Sequence, residues 1–268
     1  MEYGDLLVEE RQGVCAVTLN RPEKLNALRP RTVYELITVL DHVNRSDDVR
    51  VLLISGAGRG FCSGADLTSG GDSGEAAQLD EAIGYRRVIE APIGRWGVLF
   101  SLLYGCPKPF IAAVNGVAAG AGLSLALTAD IRIASEQASF ISAFVRRGLG
   151  PDTGTSYLLP RLIGDGRALQ MTLTGDAVDA ATAERWGLVN RVVAAEALQE
   201  TARELAVRLA RGPAVTLEAT KKLIRRESQA EFERQMQSEA WVAGIATEDR
   251  AEGGQAFREG RQPRWTGR

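Results

Sequence analysis

The chain has 268 residues, 45% hydrophobic and 25% charged, with a formal net charge of −2. That length suits one large domain or two modest ones, and the near balance of charge gives no support for nucleic-acid binding or for a membrane surface. Three dispersed cysteines (Cys15, Cys62 and Cys106) and a single histidine, His42, offer no metal-ligand spacing and no histidine-dependent triad. The first residues, MEYGDLLVEE, are acidic and carry no basic-then-apolar leader, and no apolar run reaches the ~18 residues of a membrane span. With an odd cysteine count, these features lead us to expect a cytoplasmic protein.

In chain order, residues 13–20 alternate as a strand that ends at the turn Asn20-Arg21-Pro22. Val33, Leu36, Ile37, Leu40 and Val43 mark an amphipathic helix near 30–45, which places His42 on a helix surface. Residues 49–56, VRVLLISG, form a buried strand, and a glycine-rich loop follows over 57–67. The stretch 68–75 holds glycine, serine and acids with nothing to bury, so it is expected to be flexible. A long helical stretch over roughly 77–105 stops at Cys106-Pro107-Lys108-Pro109. Trp96, Phe100 and Tyr104 fall on it at helical spacing, where core packing competes with walling a pocket.

Residues 110–116 read as a strand, the glycine-rich turn GVAAGAG feeds the apolar helix LSLAL, and 130–135 is a strand again. This alternation predicts an α/β core with crossover connections over 1–195. Beyond it Asp179 caps AATAERWG and GLVNRVV supplies one short strand. Helices over 195–211, 213–227 and 230–259 make 196–268 a helical C-terminal region.

Four segments carry chemistry. The turn at 116–122 leaves N–H groups unpaired at a helix N-terminus, an arrangement suited to an oxygen that gains negative charge, such as a thioester carbonyl becoming an enolate. Tight packing alone also explains it. FCSGADL, 61–67, is a second small-residue loop after a strand, and two convergent N–H donors would form an oxyanion hole; the alternative is a tight loop with Asp66 capping the next segment. NRPEKLNAL, 20–28, is a strand exit that an ordinary turn would also explain. In GLGPDTG, Asp152 precedes a helical run, either as an N-cap or turn residue or as a proton shuttle. Among Phe144, Leu149 and Pro151 a carboxylate would lose solvation and its pKa would rise.

In this order and spacing the segments NRPEKLNAL, FCSGADL, PKPFIAAVNGVAAGAGLSLALTADIRIAS, GLGPDTG, GLVNRVV and EGGQAFREGRQP resemble the crotonase, or enoyl-CoA hydratase/isomerase, superfamily over nearly the whole chain. The resemblance implies a spiral of ββα units with a helical C-terminal trimerisation region, assembled as homotrimers or dimers of trimers. It implies an acyl-CoA thioester substrate, with coenzyme A part of the substrate and no separate cofactor or metal. The thioester oxygen would accept from the N–H groups of Ala65 and Ala121. The CoA moiety would lie along Glu23, Lys24, Leu25 and Ala27, and along Ser63, Gly64, Asp66 and Leu67, with Gly120 beside the donor. Phe257 and Arg261 look like the residues that reach a neighbouring subunit's CoA.

Hydratases of this superfamily use two glutamates, whose positions here are Ser124 and Phe144. Neither side chain can serve as that acid or base. Asp152 matches a position where other branches keep an aspartate: dienoyl-CoA isomerases use it as acid/base, and 4-chlorobenzoyl-CoA dehalogenases as nucleophile. The similarity is greatest to the ring 1,2-epoxyphenylacetyl-CoA isomerase branch. The implied activity is enoyl-CoA isomerisation with Asp152 as acid/base. An atypical hydratase, Asp152 as nucleophile and a non-catalytic acyl-CoA-binding homologue are the alternatives.

Overall fold

The computed structural model describes residues 3–68, 74–225 and 228–267. Its strands are β1 (Leu6–Arg11), β2 (Val14–Leu19), β3 (Val51–Gly56), β4 (Gly60–Cys62), β5 (Phe110–Val114), β6 (Val117–Ala119), β7 (Ile131–Ser135), β8 (Ser139–Ile141), β9 (Ala177–Asp179) and β10 (Arg191–Val193). The α-helices are α1 (Pro30–Arg45), α2 (Gly74–Ile83), α3 (Tyr85–Glu90), α4 (Arg95–Gly105), α5 (Ala121–Thr128), α6 (Thr155–Ile163), α7 (Asp165–Thr174), α8 (Ala180–Trp186), α9 (Leu198–Ala210), α10 (Ala214–Arg225), α11 (Ser228–Gly244) and α12 (Glu248–Glu259). No helix among the described residues is long and apolar enough to cross a membrane.

Two sheets organise the chain. One runs β1-β2-β3-β5-β7-β10, the other β4-β6-β8-β9. Successive strands alternate between them: β3 then β4, β5 then β6, β7 then β8. Each turn of the chain thus lays one strand on each sheet, and these strands pair in parallel with their neighbours from the adjacent turns, while β9 closes the second sheet antiparallel to β8. This is the spiral α/β architecture expected from the sequence.

The period-2 alternation of the buried strands sorts their side chains between two cores. Leu52, Ile54, Phe110, Ala112 and Val114 face the main core with α1 and α4. Val51, Leu53, Ile111 and Ala113 face the opposite way. There Leu198, Ala202, Ala206 and Ala210, four residues apart on α9, present a narrow stripe of mostly small side chains that lies close against the sheet.

Several elements differ from the expectation. β1 pairs antiparallel with β2, so the acidic start is a sheet edge, with Glu9 and Glu10 exposed and Leu6 buried. The stretch 77–105 is not one helix. It breaks at Gly84 (φ 100°) and again at Pro92-Ile93-Gly94, where Ile93 and Gly94 take left-handed φ values of 53° and 60°. The C-terminal run 230–259 likewise breaks at 245–247, where the Thr247 side chain caps α12 by accepting from Arg250 N. Part of the turn before α5 is itself β6. The flexible stretch expected over 68–75 falls largely on residues 69–73, outside the described residues. Asp179 caps α8 as expected, accepting from Thr182 N at 2.7 Å.

Candidate active site

The two small-residue loops meet because β4 and β6 pair in parallel, with Gly60 opposite Val117 and Cys62 opposite Ala118. Glycine is required where they touch. A Cβ on Gly122 would lie 2.0 Å from Cys62 O. At Gly64 (φ 99°) a Cβ would lie 2.8 Å from Ala119 O and 3.5 Å from Ala121 N. The loop at 63–66 therefore comes directly against the first turn of α5.

The backbone leaves both expected donors without a partner in their own element. An isolated parallel bridge joins Leu28 to Ala65. It uses Leu28 N to Gly64 O and Asp66 N to Leu28 O, both 2.8 Å, so the intervening Ala65 N–H lies on the other side of the strand. Ala121 is the first residue of α5, after Gly120 (φ 51°), and its N–H belongs to the orphan donors of a helix start. Ala65 and Ala121 line one cavity of about 170 Å³, together with Ser63, Gly64, Leu67 and Gly120.

The segment 20–28 is stapled beneath the first loop. Ser63 N donates to Leu25 O at 2.9 Å and Ser63 Oγ to Lys24 O at 3.2 Å. Leu25 and Asn26 take left-handed φ values of 48° and 56°. The buried Asn26 side chain holds that conformation, accepting from Arg21 N and donating to Ala57 O and Gly60 O. Arg21 pairs with Asp66 at 2.8 Å and donates to Ala27 O. Burial tends to raise the Asp66 pKa, but hydrogen bonds from Thr68 and Arg21 outweigh it and hold it at about 2. Asp66 is thus a permanently ionised clasp. Lys24, Leu25, Ala27 and Asp66 take part in these bonds, and neither they nor Glu23 line the cavity.

The opposite wall comes from 143–153 and from the break before α4. Ala143, Phe144, Arg147, Leu149, Asp152 and Thr153 line the cavity, with Ile93 and Trp96. Of the three aromatic residues at helical spacing, only Trp96 reaches it. Phe100 is fully buried in the core, and Tyr104 stacks on Phe232 with ring centroids 4.2 Å apart.

Asp152 does not cap α6. Gly154 is the N-cap residue, and the cap bonds go to Glu239 on α11, which accepts from Gly154 N (2.7 Å), Ser156 N (3.0 Å) and Ser156 Oγ (2.6 Å). Phe232, seven residues earlier on α11, anchors this contact. Its ring packs against Tyr104 and Tyr157, and a Cβ on Gly154 would strike it at 2.2 Å. With the helix capped from elsewhere, Asp152 faces the cavity. Its side chain accepts from Thr153 Oγ1 at 3.1 Å. Burial raises its pKa from 3.8 to about 6, against the lowering pull of Thr153 and Arg250. Burial also raises Glu239, to about 7, and the Asp152 charge adds to that.

Ser124 lies beneath the cavity, fully buried. Its hydroxyl is 2.6 Å from both Thr153 Oγ1 and Thr155 Oγ1, making a chain of hydroxyls that ends at Asp152. Thr153, a β-branched residue, sits at a left-handed φ of 53°, a strained conformation of the kind that concentrates at functional sites. Phe144 is 7% exposed and contributes only apolar surface. Phe257 and Arg261 do not line the cavity. The Arg147 guanidinium lies 4.1 Å over the Phe257 ring, and Arg261 is paired with Glu252 and Glu259.

Sequence reasoning missed Asn26, Thr153, Glu239 and Ile93 as contributors. Asn26 had a signal, since asparagine tolerates left-handed backbone. Glu239 had none, because its partners are distant in the chain.

A family model described as "Enoyl-CoA hydratase/isomerase" matches residues 9–268. The chain is 39% identical to a 1,2-epoxyphenylacetyl-CoA isomerase of Escherichia coli (strain K12), with both chains covered in full. It is 37% identical, again over both full chains, to a probable enoyl-CoA hydratase of Rhodobacter capsulatus. A crystal structure of an enoyl-CoA hydratase from Mycobacterium avium subsp. paratuberculosis K-10 superposes with a TM-score of 0.85 at 32% identity, covering 99% of this chain and all of the other.

Proposed function

The chain belongs to the enoyl-CoA hydratase/isomerase family, and within that family we propose that it is an acyl-CoA isomerase in which Asp152 moves a proton and the Ala65 and Ala121 amides stabilise an enolate. The observation that carries this reading is a lone carboxylate: among the described residues lining the cavity, Asp152 alone bears one. With a pKa of about 6 it is mostly ionised at pH 7, yet basic enough to remove a carbon-bound proton and acidic enough to return it.

In the proposed reaction Asp152 takes a proton from C2 of a 3-enoyl thioester. The C–H electron pair forms the C2=C1 bond of a dienolate, and the thioester oxygen takes the negative charge between the two amides. The dienolate then takes the proton back from Asp152 at C4, leaving the double bond between C2 and C3. One carboxylate serves as base and then as acid, and no water has to be held. The hydroxyl of Ser124 is engaged by Thr153 and Thr155 and Phe144 is apolar, which disfavours hydration through two carboxylates.

The acyl-CoA thioester is substrate, and the scheme needs no other cofactor or metal. Exposed apolar side chains on the outer helices, including Leu173, Leu223, Ile224 and Trp241, suit assembly into a homotrimer or a dimer of trimers, which sedimentation tests. Asp152→Asn is expected to lower 3-enoyl to 2-enoyl turnover by about 10²-fold or more. Affinity for a saturated acyl-CoA should stay within a few-fold. Turnover near wild type would end the proposal.

A further inference from the structure

Arg147 is the one cation among the described residues that line the cavity, and nothing in the mechanism above uses it. That wall is mostly apolar, with Phe144, Leu149, Ile93 and Trp96, and carries Asp152 and Thr153 as well, neither of which is hydrogen-bonded or ion-paired to Arg147. Its guanidinium makes no ion pair or hydrogen bond to any described residue; its contact is the face of Phe257 at 4.1 Å. Burial alone perturbs it, lowering its pKa, with no acidic neighbour to offset the loss of water.

This side chain is also held in place. One face of α12, with residues at four-residue spacing, lies across the 145–148 turn. A Cβ on Gly148 would meet Asp249 O at 2.8 Å, and a Cβ on Gly253 would meet the Arg147 carbonyl carbon at 2.5 Å. Phe257, the next residue on that face, supports the flat side of the guanidinium. Stacking satisfies the face of the group and leaves its N–H edge, which is the part that forks onto a carboxylate. A fixed cation, half-buried and without an anionic partner among the described residues, stands on the wall of a mostly apolar cavity.

We propose that Arg147 binds a carboxylate carried by the acyl group, so that the substrates are acyl-CoA thioesters whose chain bears a second, free carboxylate. This rests on the reading that the cavity takes the acyl group of a CoA thioester. It does not require that Asp152 act on it.

The test is calorimetric binding of adipoyl-CoA, hexanoyl-CoA and free CoA to the full-length protein. The first two are saturated six-carbon esters that differ in the terminal carboxylate and cannot isomerise, so the outcome is independent of the isomerase reading. Wild type is expected to bind adipoyl-CoA at least about 10-fold more tightly than hexanoyl-CoA, as for a hydrogen-bonded charge pair. Arg147→Leu should bring that ratio to one or below. Arg147→Lys should restore part of it, since the charge remains without the planar fork. A wild-type ratio of one or less overturns the proposal. So does an Arg147→Leu protein that weakens all three ligands by the same factor, which would assign the arginine to the CoA moiety.

Discussion

If Asp152 is held for chemistry rather than for folding, its ionisation should cost stability, and Asp152→Asn should remove that cost. The folded protein raises the carboxyl from 3.8 to about 6 by burial. Between those values the native state binds more protons than the unfolded chain, so wild type loses stability as pH rises from about 4 through about 6. At about 1.4 kcal/mol per pH unit the full effect is about 3 kcal/mol. Asparagine keeps the shape and can accept the Thr153 hydrogen bond, but it carries no charge to desolvate. Urea unfolding of both proteins from pH 4 to 8 is the assay. The stability of Asp152→Asn relative to wild type should be smallest near pH 4, rise through pH 5–6, and level off above about pH 7. A difference independent of pH, or one that favours wild type increasingly as pH rises, would refute the argument. In that case the carboxylate would be a structural partner, as Asp179 is for α8.

Three further changes probe the same architecture. Gly64→Ala forces a Cβ towards Ala119 O and Ala121 N at a left-handed φ; kcat/KM should fall about 10²-fold or more, the scale of one lost oxyanion donor, and steady-state kinetics on a folded variant measures it. Glu239→Ala leaves Gly154 N and Ser156 N without their acceptor. Denaturant unfolding should show a loss of about 3 kcal/mol or more, and kcat should drop because the turn bearing Asp152 is released. Ser124→Ala removes the nearer acceptor of the Thr153 hydroxyl, so that proton is freed to donate to Asp152. The carboxylate is then favoured, and the acidic limb of the pH–rate profile should move below its wild-type position near 6; an upward move contradicts the hydroxyl chain.

The legibility of this protein in its sequence follows the physics of its elements. β3, β5 and α1 are long enough for their apolar period to show, and each lies where the pattern places it. β4, β6, β8 and β9 are three residues each, too short for any period, and they build the second sheet that brings the two small-residue loops together. The breaks at 84 and 92–94 sit in an otherwise helical composition, and the second of them places Ile93 in the cavity wall. Asp152 was visible as a candidate, but the choice between cap and proton shuttle depended on Glu239, a residue on α11 with no local connection to it. The resemblance located the two small-residue loops; their contact at Gly64, where an added Cβ would lie 2.8 Å from Ala119 O, is a property of the strand pairing, which no local sequence signal encodes.

The central claim is that one carboxylate, set among backbone donors, carries a proton along the acyl chain. The most direct measurement is proton NMR of a 3-enoyl-CoA in D₂O with wild type and Asp152→Asn. Wild type should isomerise the ester, with deuterium entering C2 and C4 to the extent that the Asp152 proton exchanges with solvent before it is returned. The variant should lose exchange and isomerisation together, by about 10²-fold or more, while a saturated acyl-CoA still binds. Exchange or isomerisation within a few-fold of wild type in the variant would contradict the account.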